Sequence, residues 1–224
     1  FRRPRAGMGG EDIQDDLGTV NYLLFKLFFQ VVDLARREVV VEDDYINLVI
    51  SSEKIADYLV AAKEVLESAS ENGKKSIIVG IGGSAAIASH VSVDLTKNAR
   101  IRCINFNESD LLTCFSNDYG YESWVEKAVE FYGDQGDVFI GISSSGSSKN
   151  ILNGCRAAQK MNFSKVITFS GMNSDNPLRQ IGDINLWVDS KAYNHIESIH
   201  QFWLLAIVDM IIGKTEYSAK PSDV

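Results

Sequence analysis

The chain is predicted to be an α/β protein: a single doubly wound, five-stranded parallel sheet with an N-terminal helical extension. Two observations carry this. Five short β-like runs alternate with helical segments from residue 76 onward, a pattern that places crossover helices on both faces of a parallel sheet. Two Gly/Ser-rich loops, at Gly80 and at Ser143, each follow an apolar run and open a helical segment. Ligands of such sheets bind beyond the carboxyl ends of the strands, at the point where the strand order reverses.

Taken in order, residues 1–18 are rich in Gly, Arg and Asp and are expected to form a flexible tail. Residues 19–72 are expected to hold N-terminal helices. Val20 to Arg37 is apolar on one face, Asp43 to Ala61 repeats the pattern, and Ala62 to Asn72 continues it toward Gly73. The sheet domain is expected over 73–213, followed by a C-terminal tail at 214–224. Its strands are predicted at Ser76–Val79, Ile101–Phe106, Val138–Ile142, Lys165–Phe169 and Ile184–Val188. Helices are predicted between them at Ala86–Lys97, Glu122–Tyr132, Lys149–Met161 and, briefly, Pro177–Ile181. Ile196 to Ile212 is apolar almost all round and reads as a last helix buried on several sides. Its apolarity and that of the Val20 segment suggest an oligomer interface, which a large intramolecular core explains equally well.

The formal net charge of -8 argues against nucleic acid as a direct partner, because phosphate backbones need a basic footprint. No uninterrupted apolar run approaches the roughly 20 residues that span a bilayer. Ile196 to Ile212 comes nearest, but Glu197, His200, Gln201 and Asp209 interrupt it. No membrane association is expected. The N-terminus shows no signal-peptide core. Cys103, Cys114 and Cys155 lack metal-type spacing and fit reduced thiols of a cytoplasmic protein.

Three constellations carry chemistry. Gly141-Ile142-Ser143-Ser144-Ser145-Gly146-Ser147-Ser148 runs from a strand into a helix with five serines and two glycines. Such a loop turns backbone N–H groups and hydroxyls toward one spot, and the helix N-terminus adds partial positive charge. With no Lys or Arg inside it, a phosphate held by dipoles and hydroxyls is the expected guest. Gly80-Ile81-Gly82-Gly83-Ser84-Ala85 satisfies the G-x-G-x-x-A dinucleotide pattern. The acidic residue wanted for the ribose is missing, however: Asn105 and Asn107 stand there. A sugar phosphate accounts for both loops; a dinucleotide accounts for one. All three histidines lie in candidate site segments. His90 has Asp94 one turn later on the same helix face, and Glu197 precedes His200 by three residues while His195 stands just before. Such acid–imidazole pairs move protons near neutral pH or ligate metals, and they also occur as plain helix contacts. Asn117-Asp118-Tyr119-Gly120-Tyr121 reads as a turn leading into a helix.

Gly80-x-Gly82-Gly83-Ser84 with His90, the Asn117–Tyr121 block, the serine loop with Asn150, and Ile196-Glu197-x-x-His200 fall in an order that resembles phosphoheptose isomerases, of the sugar isomerase (SIS) domain superfamily. The resemblance runs from about Tyr45 to the end of the last helix. It implies a five-stranded parallel sheet, a homotetramer, and a phosphate site at Ser143, Ser144, Ser145 and Ser148. It also implies a sugar contact at Ser84, with Asn117 and Asp118 among the substrate-binding positions. Departures from the family pattern are equally specific. The family's catalytic glutamate falls at Asp94 and its catalytic histidine at Leu205. A glutamine of its last helix becomes Glu197, and an asparagine of its first loop becomes Ile81. Family members that bind zinc do so at the positions of His90, Asp94, Glu197 and Leu205, so at most three ligands remain here. No cofactor is expected to be required, and zinc is doubtful.

The resemblance implies aldose–ketose isomerisation of a substrate like sedoheptulose 7-phosphate. Asp94, Glu197, His200 and His90 are the candidates for the proton transfers. The other reading is a non-catalytic sugar-phosphate sensor or protein-binding tetramer, which Leu205 favours.

Overall fold

The computed structural model describes residues 53–214. The tail expected at 1–18, the helix expected at 20–37 and most of the C-terminal tail lie outside the described residues. Helix α1 (Glu53–Glu71) leads into β1 (Ser76–Gly80), α2 (Gly83–Lys97), β2 (Cys103–Ile104), α3 (Ser109–Tyr119) and α4 (Trp124–Tyr132). Then follow β3 (Val138–Ser143), α5 (Lys149–Lys160), β4 (Lys165–Ser170), α6 (Pro177–Ile181), β5 (Ile184–Trp187) and α7 (Tyr193–Ile212).

The five strands are all parallel and lie in the order β2-β1-β3-β4-β5. The chain leaves β1 toward β2 on one side and returns to β3 on the other, so the switch point lies between β1 and β3. β1 and β3 are buried along their whole length, as strands covered on both faces must be. Alternate residues serve opposite faces. Ile77, Val79, Phe139 and Val166 join Trp124, Val125, Ile151, Cys155 and Leu178 in one core under α4, α5 and α6. The opposite face is covered by α1, α2 and α7, with α7 packed on both of the others and all three on the strands. The apolarity of α7 is therefore largely used inside the protomer: Ile196, Trp203, Leu204, Ala206, Ile207, Val208 and Met210 are all buried.

Two expectations are corrected. The block Asn117-Asp118-Tyr119 is not a turn but the last turn of α3, a helix the periodicity did not reveal; the chain turns only at Gly120. No residue of α3 is buried, so no strong apolar stripe marked it. The second strand is also far shorter than Ile101–Phe106. It is an edge strand paired to β1 at Cys103 and Ile104 only. Beyond it, the Asn105 side chain donates to Ser92 Oγ and accepts from the Asn107 backbone.

Candidate active site

Both Gly/Ser loops leave the carboxyl ends of β1 and β3, the two strands that flank the switch point. After β1, Gly82 takes φ +63 and Gly83 opens α2. Ser84, expected to contact sugar, is 2% exposed in the first turn of α2.

After β3, the serine loop folds on itself. Ser143 and Ser148 share a hydroxyl–hydroxyl bond of 2.9 Å, and Gly146 N–H donates to Ser143 O at 2.9 Å. Ser147 N–H donates to Ser145 Oγ at 3.2 Å. Ser148 holds the N-cap position of α5, yet its side chain makes no cap bond. Ile151 N–H donates instead to Asn150 Oδ1 at 2.9 Å, and the start of a helix favours an anion. Ser144 Oγ is buried with no hydrogen-bond partner. Ser145 and Ser148 are half-buried. Lys149, the residue that follows the loop, is tied to Glu122 at 2.8 Å.

A cavity of about 370 Å³ opens between α2 and α7, lined by Gly83, His90, Asn194, Glu197, Ser198 and Gln201 among others. Glu197 reaches so far over the start of α2 that a Cβ on Gly83 would lie 2.3 Å from its Oε2. His90 Nε2 lies 3.3 Å from Asp94 Oδ2, and Asn98 Nδ2 donates to Asp94 Oδ1 at 3.0 Å. Of the four residues expected to move protons, His90 and Glu197 thus share a cavity, and Asp94 stands directly behind His90.

His200 does not join them. It is fully buried, its Nε2–H donating to Ser170 O at 3.0 Å and its ring packed near Phe169 and Trp203. Burial lowers its pKa to about 4, against the opposing effect of the Ser170 carbonyl. A neutral imidazole sealed in the core has no path to a ligand in the cavity, so its position corrects its expected place in proton transfer. Asn117 and Asp118 are exposed at the end of α3, bonded to each other, and neither lines the cavity. The segment just beyond them reaches α5, where Asn153 Nδ2 donates to Glu122 O.

The sequence reading missed Asn194, Ser198 and Gln201. They recur with Glu197 at helical spacing, a polar stripe on an otherwise apolar helix, which was the available signal. It missed Asp209 as well. This residue is 4% exposed, one turn beyond Leu205. Burial, and secondarily the charge of Asp94, pushes its carboxyl up to about 7.

The residues present do not fit a zinc ion. Among the described residues, no three His, Cys, Asp or Glu side chains come together to hold one. Leu205 offers no ligand atom.

The SIS domain family model matches residues 45–171. Phosphoheptose isomerase from Aliarcobacter butzleri is 33% identical over 161 residues, which are 66% of this chain and 84% of that protein. The phosphoheptose isomerase of Helicobacter pylori strain P12 is 31% identical over 167 residues, 72% of this chain and 86% of that one. In three dimensions the chain is similar to a phosphoheptose isomerase from Neisseria gonorrhoeae, with a TM-score of 0.66 and 25% identity. That match covers 88% of this chain and 99% of the other. With the family model spanning more than half the chain and such relatives covered over most of their length, this chain belongs to the SIS domain family, alongside the phosphoheptose isomerases.

Proposed function

We propose that the protein is a sugar-phosphate isomerase acting on a phosphorylated ketose like sedoheptulose 7-phosphate. The observation that carries this is the convergence of the serine loop and the Gly83–Glu197 cavity on the carboxyl edge of β1 and β3. The serine loop holds the phosphate and so fixes the far end of the substrate. The carbonyl end reaches the α2–α7 cavity, where aldose–ketose exchange moves one proton between C1 and C2 through an enediol. Glu197, whose carboxylate overhangs the cavity, is the base. His90, held by Asp94, exchanges the proton on the adjacent oxygen. Asn194, Ser198 and Gln201 offer hydrogen bonds to sugar hydroxyls.

The Leu205 position supplies no proton. Turnover is therefore expected to be slower than in an enzyme with both family groups, by roughly 10²–10⁴-fold for one lost acid/base. The assembly we propose is a homotetramer, on the strength of the family resemblance. The decisive experiment incubates pure protein with sedoheptulose 7-phosphate and follows the aldose product. Ser145→Leu, which fills the phosphate loop, should abolish phosphate binding in calorimetry while leaving the fold intact. Unchanged affinity in that variant would place the phosphate elsewhere. Binding without any turnover would favour the sensor reading.

A further inference from the structure

The serine loop is held from behind by the segment that follows β4. Gly171 N–H donates to Ser144 O at 3.0 Å, and Leu178 N–H donates to Gly146 O at 3.0 Å. Between these two ties sits Asn176, 3% exposed. The two hydrogens of its amide are shared among Ser170 Oγ (3.1 Å), Gly171 O (3.1 Å) and Asn173 O (2.9 Å). Its Oδ1 accepts from Arg179 N–H at 3.0 Å and caps α6. Ser170 is the residue that β4 pairs in register with Ser143, the first serine of the loop.

The loop in turn is shaped around this amide. Gly146 takes φ +65, and a Cβ there would lie 2.0 Å from Asn176 Oδ1 and 2.2 Å from its Cγ. Only a glycine permits both that backbone conformation and that approach. The flat amide therefore lies against the backbone at the apex of the loop, with Oδ1 its nearest atom, while its polar atoms are engaged by Ser170, Gly171, Asn173 and Arg179. A buried amide that lost those partners would bear the cost of its desolvation, so the side chain has little freedom to move and the loop resting on it has little either.

We infer that Asn176 is the positioning residue of the serine loop. It holds residues 143–148 in the conformation whose N–H groups and hydroxyls converge on the phosphate of a sugar phosphate, without touching that phosphate itself. The inference rests on the reading of the serine loop as the phosphate site. Asn176 belongs to none of the motifs that mark the two glycine loops, and the α6 cap by itself asks only for an acceptor. The donor side of the amide holds Ser170, Gly171 and Asn173, and Gly171 in turn donates to the loop at Ser144 O.

The test separates the two. Asn176→Asp keeps the shape and the cap acceptor but cannot donate to Ser170, Gly171 and Asn173. Asn176→Ser keeps a shorter acceptor and serves if the aspartate variant does not fold. Asp137→Asn is the control for lost stability: Asp137 is buried at the amino edge of the sheet, accepting from the Lys75 ammonium at 2.6 Å and from the Lys75 and Asp134 N–H groups. Inorganic phosphate binding is measured by calorimetry on each protein at the same interval below its own melting temperature. Amide hydrogen exchange is followed in 143–148. The Asn176 variants should weaken phosphate about tenfold or more and speed exchange in the loop. The Asp137→Asn protein should melt lower with phosphate affinity unchanged. Asn176 variants that bind within twofold of wild type would overturn the inference alone, as would an equal loss in Asp137→Asn. A wild-type protein indifferent to phosphate would overturn the phosphate reading and this inference with it.

Discussion

A Cβ at Gly83 would run into the Glu197 carboxylate. The carboxylate is the end of a flexible side chain, so a methyl at residue 83 has one cheap escape: it displaces Glu197. Residue 83 begins α2 with an ordinary negative φ, and alanine is a better helix former than glycine by up to about 1 kcal/mol. Gly83→Ala is therefore expected to leave the melting temperature unchanged or slightly raised, while turnover falls by roughly 10²-fold or more if Glu197 is the base. A variant with wild-type turnover and a shifted Glu197 would take the base role away from that residue. At the same scale, the histidines show how little a residue type decides alone. His90 is half-exposed beside the cavity and His200 is sealed behind β4, although both are helical and both stand near an acid in the sequence.

At the scale of elements, the burial of α7 sets two opposing pH responses. Asp209 has its carboxyl raised to about 7, from 3.8. The folded protein keeps that proton where the unfolded chain releases it. The resulting stability is complete below pH 3.8 and is lost as pH rises through 7. His200 is lowered to about 4, from 6.5. The unfolded chain takes up that proton first, so its contribution is complete above pH 6.5 and is lost as pH falls toward 4. Each changes stability by up to about 1.4 kcal/mol per pH unit, and between pH 4 and 6.5 they offset one another. Asp209→Asn removes one side of the balance. Relative to wild type it should gain melting temperature steadily from pH 4 to 7 and then level off, by about 2–4 °C per kcal/mol for a chain of this size. Parallel melting curves for the two proteins would show that Asp209 is not held protonated by this interface.

For the molecule as a whole, the distribution of apolar surface shifts the question of assembly. The last helix reads from its sequence as an interface or a core, and in the fold it is mostly core. Among the described residues, four of the six exposed aromatics lie around α3 and α4, at Tyr119, Tyr121, Phe131 and Tyr132, with Phe131 64% exposed; Tyr58 and Tyr193 lie elsewhere. Contiguous apolar surface of this kind marks contact sites. Light scattering at micromolar concentration is expected to return about four times the 24.8 kDa chain mass. Phe131→Asp should reduce that mass if the aromatic face takes part in assembly. A monomer would refute the tetramer, and an unaffected tetramer would move the interface elsewhere.

The sequence by itself determined the parallel α/β sheet, its strands but for the edge β2, and the two Gly/Ser loops where a strand turns into a helix. These follow from local signals: apolar runs of strand length, helical periodicity, and glycine and serine where a strand turns into a helix. The strand order and the switch point are long-range facts, and only the tertiary structure decided that β1 and β3 lie side by side with their loops on one edge. It also decided which of two similar histidines is wet. Helix α3 escaped notice because none of its residues is fully buried, Leu111, Leu112 and Phe115 being only partly covered, and Asn176 because its bonds to Ser170, Gly171 and Arg179 and its contact with Gly146 leave no periodic mark. Asp209 looked like one more interruption in an apolar helix until the fold buried it within reach of the Asp94 charge. Local propensity writes the elements and their loops into the chain. Burial, and with it the charge state and reach of each side chain, exists only once the elements have packed.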